Sequence, residues 1–494
     1  MRLQKMLQRE GLGWREETGG RPGDPIMLSP DYRVDTELSN YLCRSSFARL
    51  SGETKRNYTD DYRIFFNFLW RRGRWWHEAE SDDLWDFEDW RMRSSDNPAP
   101  VGGARWNRGL AALSRLYGWG VSAGVVARSP VVTREVRGRF GGVVKVPEAR
   151  AVRARSSNVH WLTPRAFRVW LEVGLRRHSP EGGPESGRAG RLEARNTAFA
   201  ELLFSSGLRL TEGASLLTFE MPRPALGGDR FYPGRLARAV TKSKRARTFY
   251  VAGQVVGSVA GYVESSRAAV VRRAQQASRY EKLMLRRVVT AVTGRRQRVL
   301  HWRDAQGRQG RTALAEAGVA ERMRLYREGA QGLEPLWLWL NEAGLPLRPA
   351  SWENVFRSAS ERCARELAGQ LAEPPFCTPH MCRHSFALHM LVVLHHLMDR
   401  RMGLSVQERR DFQLLYGDVW RMVQDLLGHA QVETTRDIYL APVADLRLRS
   451  LLADPAPLAK GAAAPSVQWV SELLARIARE SEGVQDVDIA PGRW

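Results

Sequence analysis

Between residues 34 and about 138 the apolar residues recur with the period of a helix, and Gly, Ser and Pro punctuate them. From Gly52 to Arg72, the residues Tyr58, Tyr62, Phe65, Phe66 and Leu69 share one face, and Gly73 follows as a stop. Ser81 is expected to open a second helix, capped by its own hydroxyl, with Asp82 and Asp83 in the first turn. Leu84, Trp85 and Phe87 follow in it. A third helix is expected from about Ala104 to Trp119, and Ser129-Pro130 closes the block. Short helices at this spacing predict a small bundle.

The flanks have another texture. Residues 1–33 are rich in Gly, Pro and charge and read as a mobile arm. Residues 139–157 are basic, without period, and read as an interdomain linker. Such a linker either tracks a phosphate backbone or is a solvated connector. Residues 158 to about 455 form a larger unit, with helices at both ends and strand-like runs near 237–241 and 246–252. Residues 456–494 read as an Ala/Pro-rich tail with one amphipathic helix near 466–480, whose apolar face is Val470, Leu473, Leu474 and Ile477.

Composition narrows the function classes. The chain has 494 residues, 43% of them apolar and 17 of them Trp, which excludes global disorder. No uncharged apolar stretch approaches the roughly 18 residues of a spanning helix. The charged N-terminus lacks the apolar core of a secretory signal. Four cysteines are too few for a disulfide scaffold, so a reducing, cytoplasmic compartment is expected. With 76 basic and 54 acidic residues the net charge is +22, which points to a polyanion, most often nucleic acid. Half of that excess lies in 266–311, where thirteen basic residues face two acidic ones, Glu281 and Asp304. This stretch reads as an insertion and an extra polyanion-contacting arm.

Four segments carry candidate chemistry. In RNTAFAELLFSSGLRLTEGASL a helix runs to Ser206, Gly207 stops it, and Arg209 follows on the corner with Glu212 near enough to orient it. In RLARAVTKSKRARTFYV a β-hairpin carries Lys242 and Lys244 near its tip. The chain has only seven lysines, and an ammonium can release a proton where a guanidinium cannot, so these two suggest proton transfer. In TPHMCRHSFALHML, His380 and Arg383 stand at i, i+3 on one helical face, anchored by Phe386, Leu388, Met390 and Leu391. In VQDLLGHAQVETTRDIYLAP a helix ends at Gly428, His429 follows on the turn, and Thr434, Thr435 and Tyr439 lead into the next helix. Cys377, His380, Cys382 and His384 are soft metal ligands, but they alternate too tightly for one zinc tetrahedron, so no metal is expected.

In order, G-L-R-x-x-E, the hairpin Lys, H-x-x-R-H, L-G-H and T-T-x-x-x-Y resemble the boxes of the tyrosine recombinase (phage-type integrase) family. The N-terminal T-x-x-x-Y, F-x-x-F-L, D-D-L and closing S-P resemble that family's core-binding domain. The interval of 46 residues from Arg383 to His429 is longer than in compact members. The resemblance implies a mainly α fold with a small β-sheet: a helical core-binding (SAM-like) bundle at 34–138 and an α+β catalytic domain at 158–455. It implies a site-specific integrase that cuts and rejoins DNA through a 3′-phosphotyrosyl link to integrate or excise a mobile element. In that scheme Tyr439 is the nucleophile, Arg209, Arg383 and His429 hold the phosphate, His380 is the base and Lys242 the acid, with Lys244 as its alternative. No cofactor is implied. The implied partners are double-stranded DNA attachment sites, a homotetramer on that DNA and an accessory directionality factor, with a nucleoid location and no membrane. A type IB topoisomerase-like enzyme and a catalytically silent DNA-binding protein are the alternatives.

Overall fold

The bundle expected after residue 34 forms from α1 (Thr36–Arg44), α2 (Gly52–Trp70), α3 (Ser81–Met92) and α4 (Gly103–Ser122). The computed structural model describes residues 24–137, 142–151, 160–179, 192–223, 231–295, 297–396, 419–428 and 484–487. They fall in two units, 1–158 and 159–494, mainly helical with small sheets. Asp35 caps α1 by accepting the Leu38 N–H at 2.9 Å, and Ser51 caps α2 by accepting the Thr54 N–H at 3.1 Å. The α2 face buries Tyr62, Phe65 and Leu69 against Tyr41, Phe87, Leu113 and Tyr117. Within this core the Tyr41 and Tyr62 hydroxyls meet at 2.9 Å, and Tyr62 donates to the Ala112 carbonyl.

Three local expectations for this unit give way. The cap of α3 is not the Ser81 hydroxyl. Asp83 reaches back to accept the Glu80 N–H at 2.9 Å, and Arg74 holds the same carboxylate at 2.8 Å. Residues 24–33, read as part of an arm, are tied down: Asp24 pairs with Lys55 at 2.6 Å, Leu28 bridges to Val34, and Met27 packs on the core. The stretch read as an interdomain linker holds a strand. β1 (Thr133–Arg137) pairs antiparallel with β2 (Val143–Pro147), whose β-branched valines suit a pleated ladder. Trp106 and Asn107 of α4 then bond the backbone at Ala149 and Ala151.

The second unit begins with β3 (Trp161–Leu162) and α5 (Pro164–Val169), which continues as a π-helical turn to Arg176. α6 (Glu193–Ser206), α7 (Leu210–Ala214) and the antiparallel pair β4 (Phe231–Leu236) and β5 (Arg247–Ala252) follow. The first strand thus precedes the expected run at 237–241, where the chain makes a single 3-10 turn, Arg238–Val240. α8 (Gly253–Tyr262) and α9 (Ala268–Gln276) lead to a five-stranded sheet of β6 (Arg287–Thr293), β7 (Val299–Asp304), β8 (Gln309–Ala313), β9 (Leu325–Gly329) and β10 (Gly332–Pro335). Its order is β10-β9-β6-β7-β8, with the short α10 (Val319–Arg322) between β8 and β9. The basic stretch 266–311 is therefore built into the fold: Val270, Val271, Ala274, Tyr280 and Leu300 belong to the main core. Arg267, one of the thirteen basic residues counted above, is buried and donates to the carbonyls of Pro335, Trp337 and Leu338.

α11 (Ser351–Glu366), α12 (Pro379–His396) and α13 (Val419–Leu427) complete the described helices. Phe386, Leu388, Leu391 and Val392 of α12 pack with Val419, Trp420, Val423 and Leu427 of α13. β11 (Val484–Gln485) lies parallel to β3, and the Leu162 N–H donates to Ser385 Oγ in α12 at 2.8 Å. The first and last described strands of the unit thereby meet on the helix that carries His380 and Arg383. No described helix is long and apolar enough to cross a membrane. The amphipathic segment near 466–480 lies outside the described residues.

Candidate active site

The corner between α6 and α7 forms as its sequence predicts. Gly207 takes φ +63°, the left-handed region that stops a helix. A Cβ there would come within 2.3 Å of the Phe386 ring, so a glycine is what lets α6 and α12 approach. Arg209 is the N-cap of α7, and Glu212 one turn on serves it twice. One Glu212 oxygen accepts the Arg209 N–H at 2.9 Å, and the other accepts Arg209 Nη1 at 3.0 Å. Glu212 is 1% exposed, and Arg247 from the start of β5 donates to it at 2.7 Å. Burial alone would raise the Glu212 carboxyl. Arg247, the Arg209 N–H, Arg383 and the Arg209 guanidinium outweigh it and hold the group below its ordinary range.

Arg383 is buried, and its planar fork joins two helix ends. Nη1 donates to the Gly207 carbonyl at 2.6 Å and Nη2 to the Leu427 carbonyl at 2.7 Å. Both carbonyls sit where α6 and α13 end, so their partial negative charge favours a cation. Arg247 donates to the neighbouring Leu426 carbonyl at 2.7 Å, so the end of α13 is held by two arginines. Gly428 closes that helix at φ +65°.

His380 lies in the first turn of α12 with its ring centroid 4.1 Å from that of His384. Burial pushes its pKa down from 6.5, and Arg383, Arg209 and Lys242 push it further. The ring is therefore neutral at neutral pH and free to accept a proton. Lys242 is exposed on the turn that joins β4 to β5. Buried Thr241 beside it shapes that turn, with Oγ1 at 3.0 and 2.9 Å from the Arg238 and Arg245 carbonyls. Lys244, at φ +54°, bends back toward the Ala239 carbonyl.

Arg209, Lys242 and the α12 pair His380 and Arg383 thus come from three separated segments, and the three cations all act electrostatically on His380. His429 and Tyr439 lie outside the described residues. Arg247 was not singled out by its sequence: it ends a run of basic residues in which nothing local distinguishes it. The Cys377 and Cys382 sulfurs stand 3.5 Å apart, both buried. Among the described residues no cluster of three or more His, Cys, Asp or Glu side chains could hold a metal ion. As chemistry, a neutral base flanked by fixed guanidiniums suits a phosphoryl group whose oxygens gain charge during reaction.

No protein-family model and no curated protein matches the chain. Solved structures do. The chain is similar to XerH site-specific recombinase bound to a palindromic difH substrate in a post-cleavage complex, at 14% identity and TM-score 0.44, over 86% of this chain and 91% of that one. It is similar to XerA recombinase at 14% identity and TM-score 0.30, over 85% and 98%. It is similar to the integrase from mycobacterium phage Brujita at 14% identity and TM-score 0.20, over 86% and 93%. The structural neighbours of this chain are thus tyrosine recombinases and a phage integrase, at low sequence identity.

Proposed function

We propose that the chain cleaves and rejoins strands of duplex DNA through a 3′-phosphotyrosyl intermediate formed on Tyr439. The observation that carries this reading is the pair of immobilised guanidiniums, Arg383 on two helix ends and Arg209 on Glu212, acting on a neutral His380. In the reaction Tyr439 Oη bonds to phosphorus and the bond from phosphorus to the 5′ oxygen breaks. The phenol proton passes to His380. Lys242 supplies the proton that the leaving 5′ oxygen takes up, with Lys244 of the same turn as its alternative. Arg209, Arg383 and His429 hold the non-bridging oxygens as their charge grows. A preorganised donor of this kind contributes about 10²–10³ in rate. Rejoining is the reverse, since the phosphotyrosyl bond keeps the energy of the one broken. Positioned in this way, the chain acts as an integrase on attachment sites of a mobile element, as a homotetramer.

The test uses duplexes made from the DNA that flanks the coding region, nicked so that the cleaved end diffuses away. Wild-type protein should yield a covalent protein–DNA band on a denaturing gel. Tyr439→Phe should bind the duplex equally and yield none. Capture by Tyr439→Phe would refute the nucleophile. Relaxation of supercoiled plasmid without strand exchange would favour a topoisomerase, and binding without any strand cleavage a silent DNA-binding protein.

A further inference from the structure

We infer that the β6–β7 ribbon, with the edge strand β8, is a second DNA-contacting surface that lies along the duplex away from the scissile phosphate. The inference rests on the DNA reading above and adds a contact to it. Every described residue from Thr290 to Arg298 is exposed, and of the tip arginines Arg298 lies over the Phe219 ring, 5.8 Å from its centroid. Even Val292 is 51% exposed, although β-branched residues in a strand ordinarily pack. Arg295 and Arg298 occupy the tip, and Arg311 on β8 lies directly opposite His301 in the ladder. None of these three arginines has an ion pair among the described residues. Others on the same sheet do: Arg303 with Glu328, Arg308 with Asp304 and Arg327 with Glu334. The tip and β8 therefore present exposed cations that no described acidic side chain pairs with.

The mounting is rigid and leads to the candidate site. Buried Arg322, just beyond β8, donates to the Ser215 carbonyl at the end of α7 and pairs with Glu220. The Ala239 N–H, in the turn that precedes Lys242, donates to the Ala315 carbonyl at 3.0 Å, and Arg238 pairs with Glu316. The sheet is thus fixed both to the helix that holds Glu212 and to the hairpin that holds Lys242. The turn that joins β6 to β7, with β8 alongside, presents arginines that suit the phosphates of a duplex.

Deleting 266–311 would remove core residues, so point variants test the surface. The Arg295→Ala/Arg298→Ala/Arg311→Ala protein is compared with wild type in binding to a mixed-sequence duplex of about 60 bp, across a range of salt. Losing three phosphate contacts should make the slope of log K against log salt shallower by about 2.7. Arg-to-Lys changes at the same positions should restore it. Arg295→Glu alone, at the exposed tip, should lower the slope by about one unit and serves if the triple variant unfolds. An unchanged slope in these variants overturns the inference and indicates another partner, such as an acidic protein. Covalent capture is measured on the same proteins with the nicked duplexes described above. A shallower slope with no capture by wild type sinks the cleavage reading alone; intact capture with an unchanged slope sinks the ribbon alone. Wild-type protein that binds no duplex overturns both.

Discussion

Glu212 is where the cations of the site are reconciled: it is buried, bonds Arg209 and Arg247, and lies in the field of Arg383. Removing its charge leaves the largely buried Arg247 and the partly buried Arg209 without the carboxylate they share. Glu212→Gln should therefore lose about 3–5 kcal/mol of stability in denaturant titrations at neutral pH. The pH dependence has a definite sign. A carboxyl held below its ordinary 4.5 contributes stability above that value and loses it as pH falls through the folded-state pKa. The gap between wild type and Glu212→Gln should narrow below about pH 4.5, and a gap that stays constant there would contradict the burial and pairing described. Arg209 and Glu212 were legible in the sequence, because an i, i+3 pair after a helix stop needs only local geometry. Arg247 was not, because its partners, Glu212 and Leu426, are far from it along the chain.

At the level of elements, the site depends on the ends of α6, α12 and α13 meeting closely. Gly207 is the contact that permits it. Gly207→Ala should cost about 1–2 kcal/mol for the left-handed backbone and about 1–3 more for overpacking against Phe386. Urea unfolding would read this as a lowered midpoint at unchanged slope. Wild-type stability in that variant would mean that the two helices are not packed as described. Helices with a strong apolar period, such as Gly52–Trp70, were visible in advance, as was the stop at Gly207. The strand Phe231–Leu236 was not, since Pro233 and Gly234 argue against a strand. Among the described residues β4 pairs on one side only, which is where a strand tolerates proline. In 266–311 the density of charge obscured the strands, whose Val288 and Leu300 turn inward while the arginines turn out.

For the whole molecule, composition pointed to a polyanion but carried no chemistry, and the order of five motifs suggested the reaction proposed above. Four of the six proposed catalytic residues, Arg209, Lys242, His380 and Arg383, belong to described parts of one unit, where Arg383, Arg209 and Lys242 lower the pKa of His380. In the proposed reaction the covalent step falls to Tyr439 and would leave a mark on the chain itself. Wild-type protein trapped on nicked duplex, digested with nuclease and protease and read by mass spectrometry, should carry a 3′-linked nucleotide on the peptide that contains Tyr439. An adduct on any other side chain, or a trapped complex with no adduct at all, would contradict the account.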